Sequence, residues 1–356
     1  MRIRYLVGLL VATFFSAPLV QAQKSTWNFA VSGDSRNCGD IVVPAIADGV
    51  KKDNAEFYWH MGDFRAIFAM DEDIANRASG SRPSSLSQYQ GNAWQDAIQN
   101  QLSVFGDLPF YVGIGNHETI PPKTRSEFVE TFSQWLDAPA IHDQRQQDDP
   151  ADTTVKTYYH WRQQGIDFIY LDNASDDEFD PGQLSWFKKL LAADQKDGGV
   201  KAVVVAMHAA LPNSLAAGHS MNNWRTGDSS GGLVYVELLD FRNQAHKNVY
   251  VLASHSHFYI RGIFDTDYWK SHGGVLPGWI VGTAGAHRYK LPEDAHKAEE
   301  ARTNVYGYLL ATAHDDGTID FKFKEIKESA IPQDVVARFG RSLVHECFAG
   351  NSDVRH

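Results

Sequence analysis

Residues 109–118 read PFYVGIGNHE. Pro109 to Ile114 is an apolar, β-favouring run, and it passes directly into Gly115, Asn116, His117 and Glu118. Three polar side chains closing an apolar strand, with no obvious helix for them to cap, point to chemistry more than to a turn. Working outward, four more apolar runs end in comparable fashion. Trp27 to Ser32 ends at Gly33-Asp34, Glu56 to Met61 at Gly62-Asp63, Lys201 to Met207 at His208, and Asn248 to Ala253 at Ser254-His255-Ser256-His257. Segments with helical spacing lie among them. Ile41 to Lys52 has apolar residues at 41, 42, 45, 46 and 50; Asn92 to Phe105 and Ser126 to Leu136 also read as helices. Asp180-Pro181 supplies an N-cap and a proline at the first helical position for a helix running to about Ala193. Such alternation predicts an α/β fold, and open α/β sheets place their sites at the carboxyl ends of strands.

The second half of the chain is richer in β-structure. Tyr158 to Trp161 and Ile166 to Asp172 read as a hairpin turning at Gln163-Gln164-Gly165, and residues 278–284, 305–313 and 318–325 read as strands. Two sheets with helices outside accommodate both halves. No internal repeat or domain linker is visible. Residues 65–90 form a polar insertion containing SGSRPSSLS (79–87), which is either a loop that shapes a site or a neutral surface excursion. Residues 332–356 read as a tail, a short helix followed by a polar end.

Arg2 and Arg4 precede an apolar run from Tyr5 to Val20, and Val20-Gln21-Ala22 offers a cleavage site, so residues 1–22 read as a secretory signal peptide. An uncleaved anchor is the weaker reading, because the run is short for a membrane span. Cleavage removes two Arg and no acid, taking the net charge from −11 to −13. The expectation is an exported, secreted or periplasmic protein with no membrane span in its mature form. Its acidic balance and the absence of a Lys/Arg block argue against nucleic-acid scaffold binding. At 43% hydrophobic and 22% charged residues the chain builds a real core, which excludes wholesale disorder. The only cysteines, Cys38 and Cys347, either pair in an oxidising compartment or stay as two buried thiols. Two are too few for a cysteine-based zinc site.

Asp34, Asp63, Asn116, His208, His255 and His257 are hard oxygen and imidazole donors of the kind that suit Zn, Mn or Fe. Each alone has a plain structural reading. Gly-Asp after a strand is usually a turn, a lone His208 would be a satisfied core histidine, and His255 with His257 would share one face of a straight strand edge. Together and in this order they suggest two cations joined by a bridging carboxylate, binding a phosphate and activating a shared water. A histidine outside the metal shell can then protonate the leaving oxygen.

GDSR (33–36), GDF (62–64), GNHE (115–118), AMHAALP (206–212) and SHSHFY (254–259) resemble the calcineurin-like metallophosphoesterases. FIYLDN with PGQLSWFKKLL, WIVGTAGA and VYGYLLA resemble the purple acid phosphatase-like branch, and the likeness covers about residues 27–325 of a domain placed at 23–331. The resemblance implies a four-layer α/β/β/α sandwich of two mixed sheets flanked by helices. It implies two divalent or trivalent metal ions, with Asp34, Asp63 and His257 at the first, Asp63 bridging, and Asn116, His208 and His255 completing the second. It implies hydrolysis of a small-molecule phosphate ester by metal-bound hydroxide, without a phosphoenzyme, with His117 as general acid or transition-state stabiliser.

Three departures stand out. The common Asp-x-His of the first motif has Arg36 in place of the histidine; the tyrosine that purple acid phosphatases carry three residues after the bridging Asp is Ala66; and the glycine before His-x-His is Ser254. Arg36 either clamps the substrate phosphate through its planar fork, or supplies charge in place of a weakly held first metal, or makes a structural ion pair, for instance with Asp40. The missing ligand gives weight to a rival reading, a degenerate protein with one metal acting as a binding module. A zinc hydrolase of amide bonds is a third reading, disfavoured because no H-E-x-x-H pattern is present. His60, His219, Asn222, Asn223, Tyr259 and Arg261 are secondary candidates, while His272 and His287 read as incidental.

Overall fold

The central strands are apolar on both faces because both faces are covered. In the strand Ile166–Leu171, Phe168 and Tyr170 enter one buried cluster and Ile169 and Leu171 another; in Ala202–Met207, Val204 and Ala206 part from Val203, Val205 and Met207 in the same way. A strand's side chains alternate between faces, so this split marks a sheet with a second sheet on one side and helices on the other. The computed structural model describes residues 26–349 except 81, 176 and 217. The expected signal peptide, residues 1–22, lies outside the described residues.

Twelve strands are described: β1 (Thr26–Ser32), β2 (Ala55–His60), β3 (Phe110–Val112), β4 (Tyr159–Gln163), β5 (Ile166–Leu171), β6 (Ala202–Met207), β7 (Asn248–Ala253), β8 (Tyr259–Arg261), β9 (Gly278–Val281), β10 (Glu300–Arg302), β11 (Tyr306–His314) and β12 (Ile319–Ile326). They form a five-stranded sheet in the order β12-β11-β1-β2-β3 and a seven-stranded sheet in the order β10-β8-β9-β7-β6-β5-β4. Both sheets are mixed. β1, β2 and β3 run parallel, as do β5, β6, β7 and β9, and antiparallel strands complete the edges. The sheets meet through aromatic rings, with Phe29 and Phe168 edge to face at 5.1 Å and Trp59 and Trp161 at 5.0 Å. The helix Gly39–Lys52 buries Ile41, Val42, Ile46 and Val50 in the cluster of the first sheet; Pro181–Lys196 and Arg225–Ala245 cover the second. This is the expected architecture of two mixed sheets flanked by helices.

Several boundaries differ from those read in the sequence. The helix expected from Asn92 begins at Leu86, because the Ser85 hydroxyl accepts the Gln88 amide hydrogen. The one expected over 126–136 breaks at Phe132 into Arg125–Thr131 and Ser133–Leu136, and Thr124 and Glu127 cap it reciprocally. The 21-residue helix Arg225–Ala245 has no clear sequence signal, since its first half is TGDSSGG. A Cβ at Gly231 would sit 2.6 Å from Pro212 and 2.8 Å from the Met221 sulfur, so close packing, not propensity, selects glycine there. Residues 333–348 form two helices whose Val335, Phe339, Leu343 and Val344 are buried in the main core, and Cys347 is disulfide-bonded to Cys38. Among the described residues no helix is long and apolar enough to cross a membrane.

Candidate metal centre

The five marked strand ends lie at the carboxyl ends of β1, β2, β3, β6 and β7, and the face-to-face packing of the two sheets brings them into one place. Asp34, Asp63 and His255 all adopt left-handed backbone conformations, with φ of 61°, 63° and 62°. Such conformations cost a non-glycine residue free energy and concentrate at functional sites. Glu118, wholly buried, accepts hydrogen bonds from the amides of Asp63 (2.8 Å), Phe64 (3.0 Å) and Gly115 (2.8 Å), tying the second and third motifs together. Burial, and then the Asp63 charge, push its pKa up to about 8. Gly115 is obligatory, because a Cβ there would stand 2.3 Å from Asp63 Oδ1 and 2.8 Å from the His208 ring.

One donor set is complete. Asp63 Oδ1, His208 and His255 bring ligand atoms within 4.8 Å of one another. His208 Nε2 lies 3.0 Å from Asn116 Oδ1, 3.1 Å from His255 Nδ1 and 3.4 Å from Asp63 Oδ1. His208 Nδ1 donates to the Met61 carbonyl at 2.9 Å, which aims Nε2 at the cluster. Burial opposes a charge on His208, but Asp63 outweighs it and lifts the imidazole to about 10. A bound cation would take the place of that proton. His255, half-buried and beside His208, is held well below the ordinary histidine range by desolvation and then by the neighbouring imidazole, which favours the neutral form a ligand needs. The set therefore fits a transition-metal ion.

The neighbouring set is different. Asp34 Oδ1 and Asp63 Oδ2 are buried without hydrogen-bond partners, and His257 Nε2 is 3.2 Å from Asp34 Oδ1. Asp34 Oδ2 accepts the His255 amide at 2.8 Å. The Arg36 guanidinium enters here, with Nη2 3.1 Å from His257 Nε2 and 3.3 Å from the Tyr289 hydroxyl, and Nε 3.9 Å from Asp63 Oδ2. Arg36 does not pair with Asp40. Asp40 belongs to Arg65, a fully buried guanidinium set among Asp40, Asp71, Asp73 and Asp96 that pins the start of the 65–90 segment to the helix Gly39–Lys52.

His117 donates from Nδ1 to the Ala66 carbonyl at 2.6 Å, leaving Nε2 facing Asp63 Oδ2 at 3.7 Å. Burial pulls its pKa down to about 4, against the opposing pull of Asp63. Phe68, exposed on the same segment, lies 5.3 Å from the His117 ring, so the beginning of the insertion borders the site. A cleft of about 590 Å³ opens beside Asn116 and His255, lined also by His219, Asn223 and Trp224. Asn222 instead holds the Asn213 amide and Asp228.

His255 and His257 do not share one strand face. β7 stops at Ala253, and the left-handed turn at His255 sends the two imidazoles to different donor sets. His60 bonds Ser35 at 2.9 Å and accepts the Gly62 amide, bracing the first two motif loops without facing the donors. Tyr259 is buried, Arg261 pairs with Glu299, and His272 stacks on exposed Tyr268. His287 is less incidental, because its carbonyl accepts His257 Nδ1 at 2.5 Å. Tyr289, stacked on His257 at 4.0 Å and on His219 at 4.7 Å, carried no sequence signal.

The sequence profile of the calcineurin-like phosphoesterases matches residues 29–259. A purple acid phosphatase, PPD1 from seeds of yellow lupin (Lupinus luteus), superposes with a TM-score of 0.56 at 16% identity over 85% of this chain and 52% of its own, so this chain spans about half the length of that protein. The structure of PhoD superposes with a TM-score of 0.51 at 13% identity, over 92% of this chain and 78% of its own. No curated protein matches by sequence.

Proposed function

Since the chain belongs to the calcineurin-like phosphoesterase family, we propose that it is an exported metal-dependent phosphoesterase acting on small-molecule phosphate esters. The observation that carries this reading is the convergence of Asp63, Asn116, His208 and His255 from four separate strand ends into one donor set, with Arg36 and His117 beside it. A Zn, Mn or Fe ion held by those four residues would polarise a phosphoryl oxygen and acidify a water molecule.

The chain's own side chains divide the remaining work. Arg36 offers a planar donor fork to non-bridging phosphate oxygens, where negative charge grows in the transition state. His117, with Nδ1 committed to the Ala66 carbonyl, presents Nε2 for protonating the leaving oxygen. Burial disfavours the imidazolium, and a phosphate anion against Nε2 offsets that cost. Glu118 keeps the loops bearing Asp63 and Asn116 in register, and the cleft bordered by His219, Asn223 and Trp224 has room for the ester's organic group. The resemblance implies the family's first metal position at Asp34, Asp63 and His257. Export is supported by the N-terminal signal pattern and by the Cys38–Cys347 disulfide, a bond suited to an oxidising compartment.

The test is a panel of phosphate monoesters and diesters, assayed with the metal-reconstituted mature protein and with His208→Ala. Turnover of at least one class by the parent, lost in the variant, is expected. A parent that holds metal tightly yet hydrolyses nothing would refute the hydrolase reading in favour of a binding module.

A further inference from the structure

The family's first metal position is already filled by a side chain. Asp34 Oδ1, Asp63 Oδ2 and His257 Nε2 are the acceptors that would have to hold an ion there, and the Arg36 guanidinium reaches two of them, bonding His257 Nε2 and approaching Asp63 Oδ2 at 3.9 Å. His257 donates through Nδ1 to the His287 carbonyl, so Nε2 has a lone pair, and the structure spends it on a hydrogen bond from Arg36 Nη2. Tyr289 holds the arrangement from above, stacking on His257 and accepting from Arg36. The residue that completes this position in relatives is a histidine at the place of Arg36 or, in purple acid phosphatases, a tyrosine at the place of Ala66; here the first is a guanidinium and the second has no side-chain donor atom to offer. An ion here would have three protein donors, share one of them with the neighbouring ion, and lie against a guanidinium that repels it. These residues do not fit a metal.

We infer that Arg36 takes the place of the first metal, so that the protein binds one transition-metal ion, at Asp63, Asn116, His208 and His255, and uses the guanidinium as its second positive charge toward the substrate phosphate. Charge balance agrees. A divalent ion and Arg36 already outweigh Asp34 and Asp63, whereas a second ion would add two uncompensated charges in a buried pocket. The guanidinium also gives what an ion does not, a flat donor pair that fixes the orientation of a tetrahedral anion. This inference rests on the metal-dependent reading above.

The experiment titrates the metal-free mature protein with MnCl₂, reading stoichiometry by elemental analysis, ion–ion coupling by electron paramagnetic resonance, and inorganic phosphate affinity by calorimetry. The parent should saturate at one equivalent with an isolated-ion spectrum. Arg36→His, which restores the common motif, should take up a second equivalent and give an exchange-coupled spectrum. Arg36→Lys, which keeps the charge and serves as a folding control, should stay at one equivalent. It should bind phosphate more weakly than the parent, and Arg36→Ala by about tenfold or more. Two coupled equivalents in the parent would overturn the inference while leaving the phosphoesterase reading intact. Absence of ester turnover in a parent holding one ion, with phosphate affinity still dependent on Arg36, would do the reverse. Phosphate affinity unchanged in a folded Arg36→Ala would also overturn it.

Discussion

The disulfide between Cys38 and Cys347 joins residues 309 positions apart, tying the helix Arg341–Phe348 to the loop that carries Asp34 and Arg36. Replacing both by serine removes the longest covalent shortcut in the chain. For a loop of that length the chain-entropy relation gives a ceiling of roughly 5–6 kcal/mol, and residual structure in the unfolded chain usually lowers the measured value to about 2–4 kcal/mol. The C-terminal helices keep their own apolar anchors, Val335, Phe339, Leu343 and Val344, so the double variant should still fold. A loss of about 3 kcal/mol in a chain of this size shifts the melting temperature by roughly 4 °C. Guanidinium unfolding followed by tryptophan fluorescence reads the change directly, and the slope should steepen because the unlinked chain exposes more surface. Dithiothreitol should destabilise the parent by a similar amount and leave the double variant unmoved. If the double variant unfolds at the parent's denaturant midpoint, the bond contributes nothing and the reasoning fails.

Asp63→Ala and His208→Ala should each abolish hydrolysis and lower bound metal, because water cannot replace a ligand oriented by the surrounding loops; full activity together with full metal content in either would sink the donor set. His117→Ala should retain metal but slow hydrolysis by about 10²–10⁴-fold for poor leaving groups, and less for activated aryl esters; an equal loss across leaving groups would count against proton donation. His160, buried, has its pKa pulled down by burial but raised more strongly by the Asp167 charge and the hydrogen bond to Asp148, reaching about 9. A folded pKa above the unfolded 6.5 contributes stability that is fully present below pH 6.5 and lost as pH rises through 9, so roughly 3 kcal/mol should disappear across that window and the slope should be flatter in His160→Gln. Parallel pH–stability curves for the two proteins would exclude it. Gly115→Ala should lose metal affinity, because its Cβ would collide with Asp63 and His208; unchanged metal content would show that the loop yields.

Much of the fold was legible because strand period and strand-end chemistry are local properties. The apolar run from Ile166 to Leu171 and the polar closures at Asp34, Asp63, Asn116 and His208 are written within a few residues each. The helix Arg225–Ala245 was not legible, because its helical state depends on Gly231 packing against Pro212 and Met221, distant partners that override weak local propensity. Glu118 stood in view within GNHE, but its work of binding three amides from two loops belongs to the assembled site.

The sequence alone marked the α/β alternation, six candidate donor residues and the anomaly at position 36, since each is a matter of residue type and short spacing, and the motif resemblance added the layered sandwich. Only the tertiary structure decided how the donors divide. The left-handed turn at His255 parts it from His257, Tyr289 arrives from a loop far along the chain to hold Arg36, and Asp40 is claimed by Arg65, leaving Arg36 to the pocket. It also joined Cys38 to Cys347 across most of the chain. The physical reason is the same in each case: donor geometry, ion pairing and cross-links depend on distances between segments that only the packing of the two sheets sets.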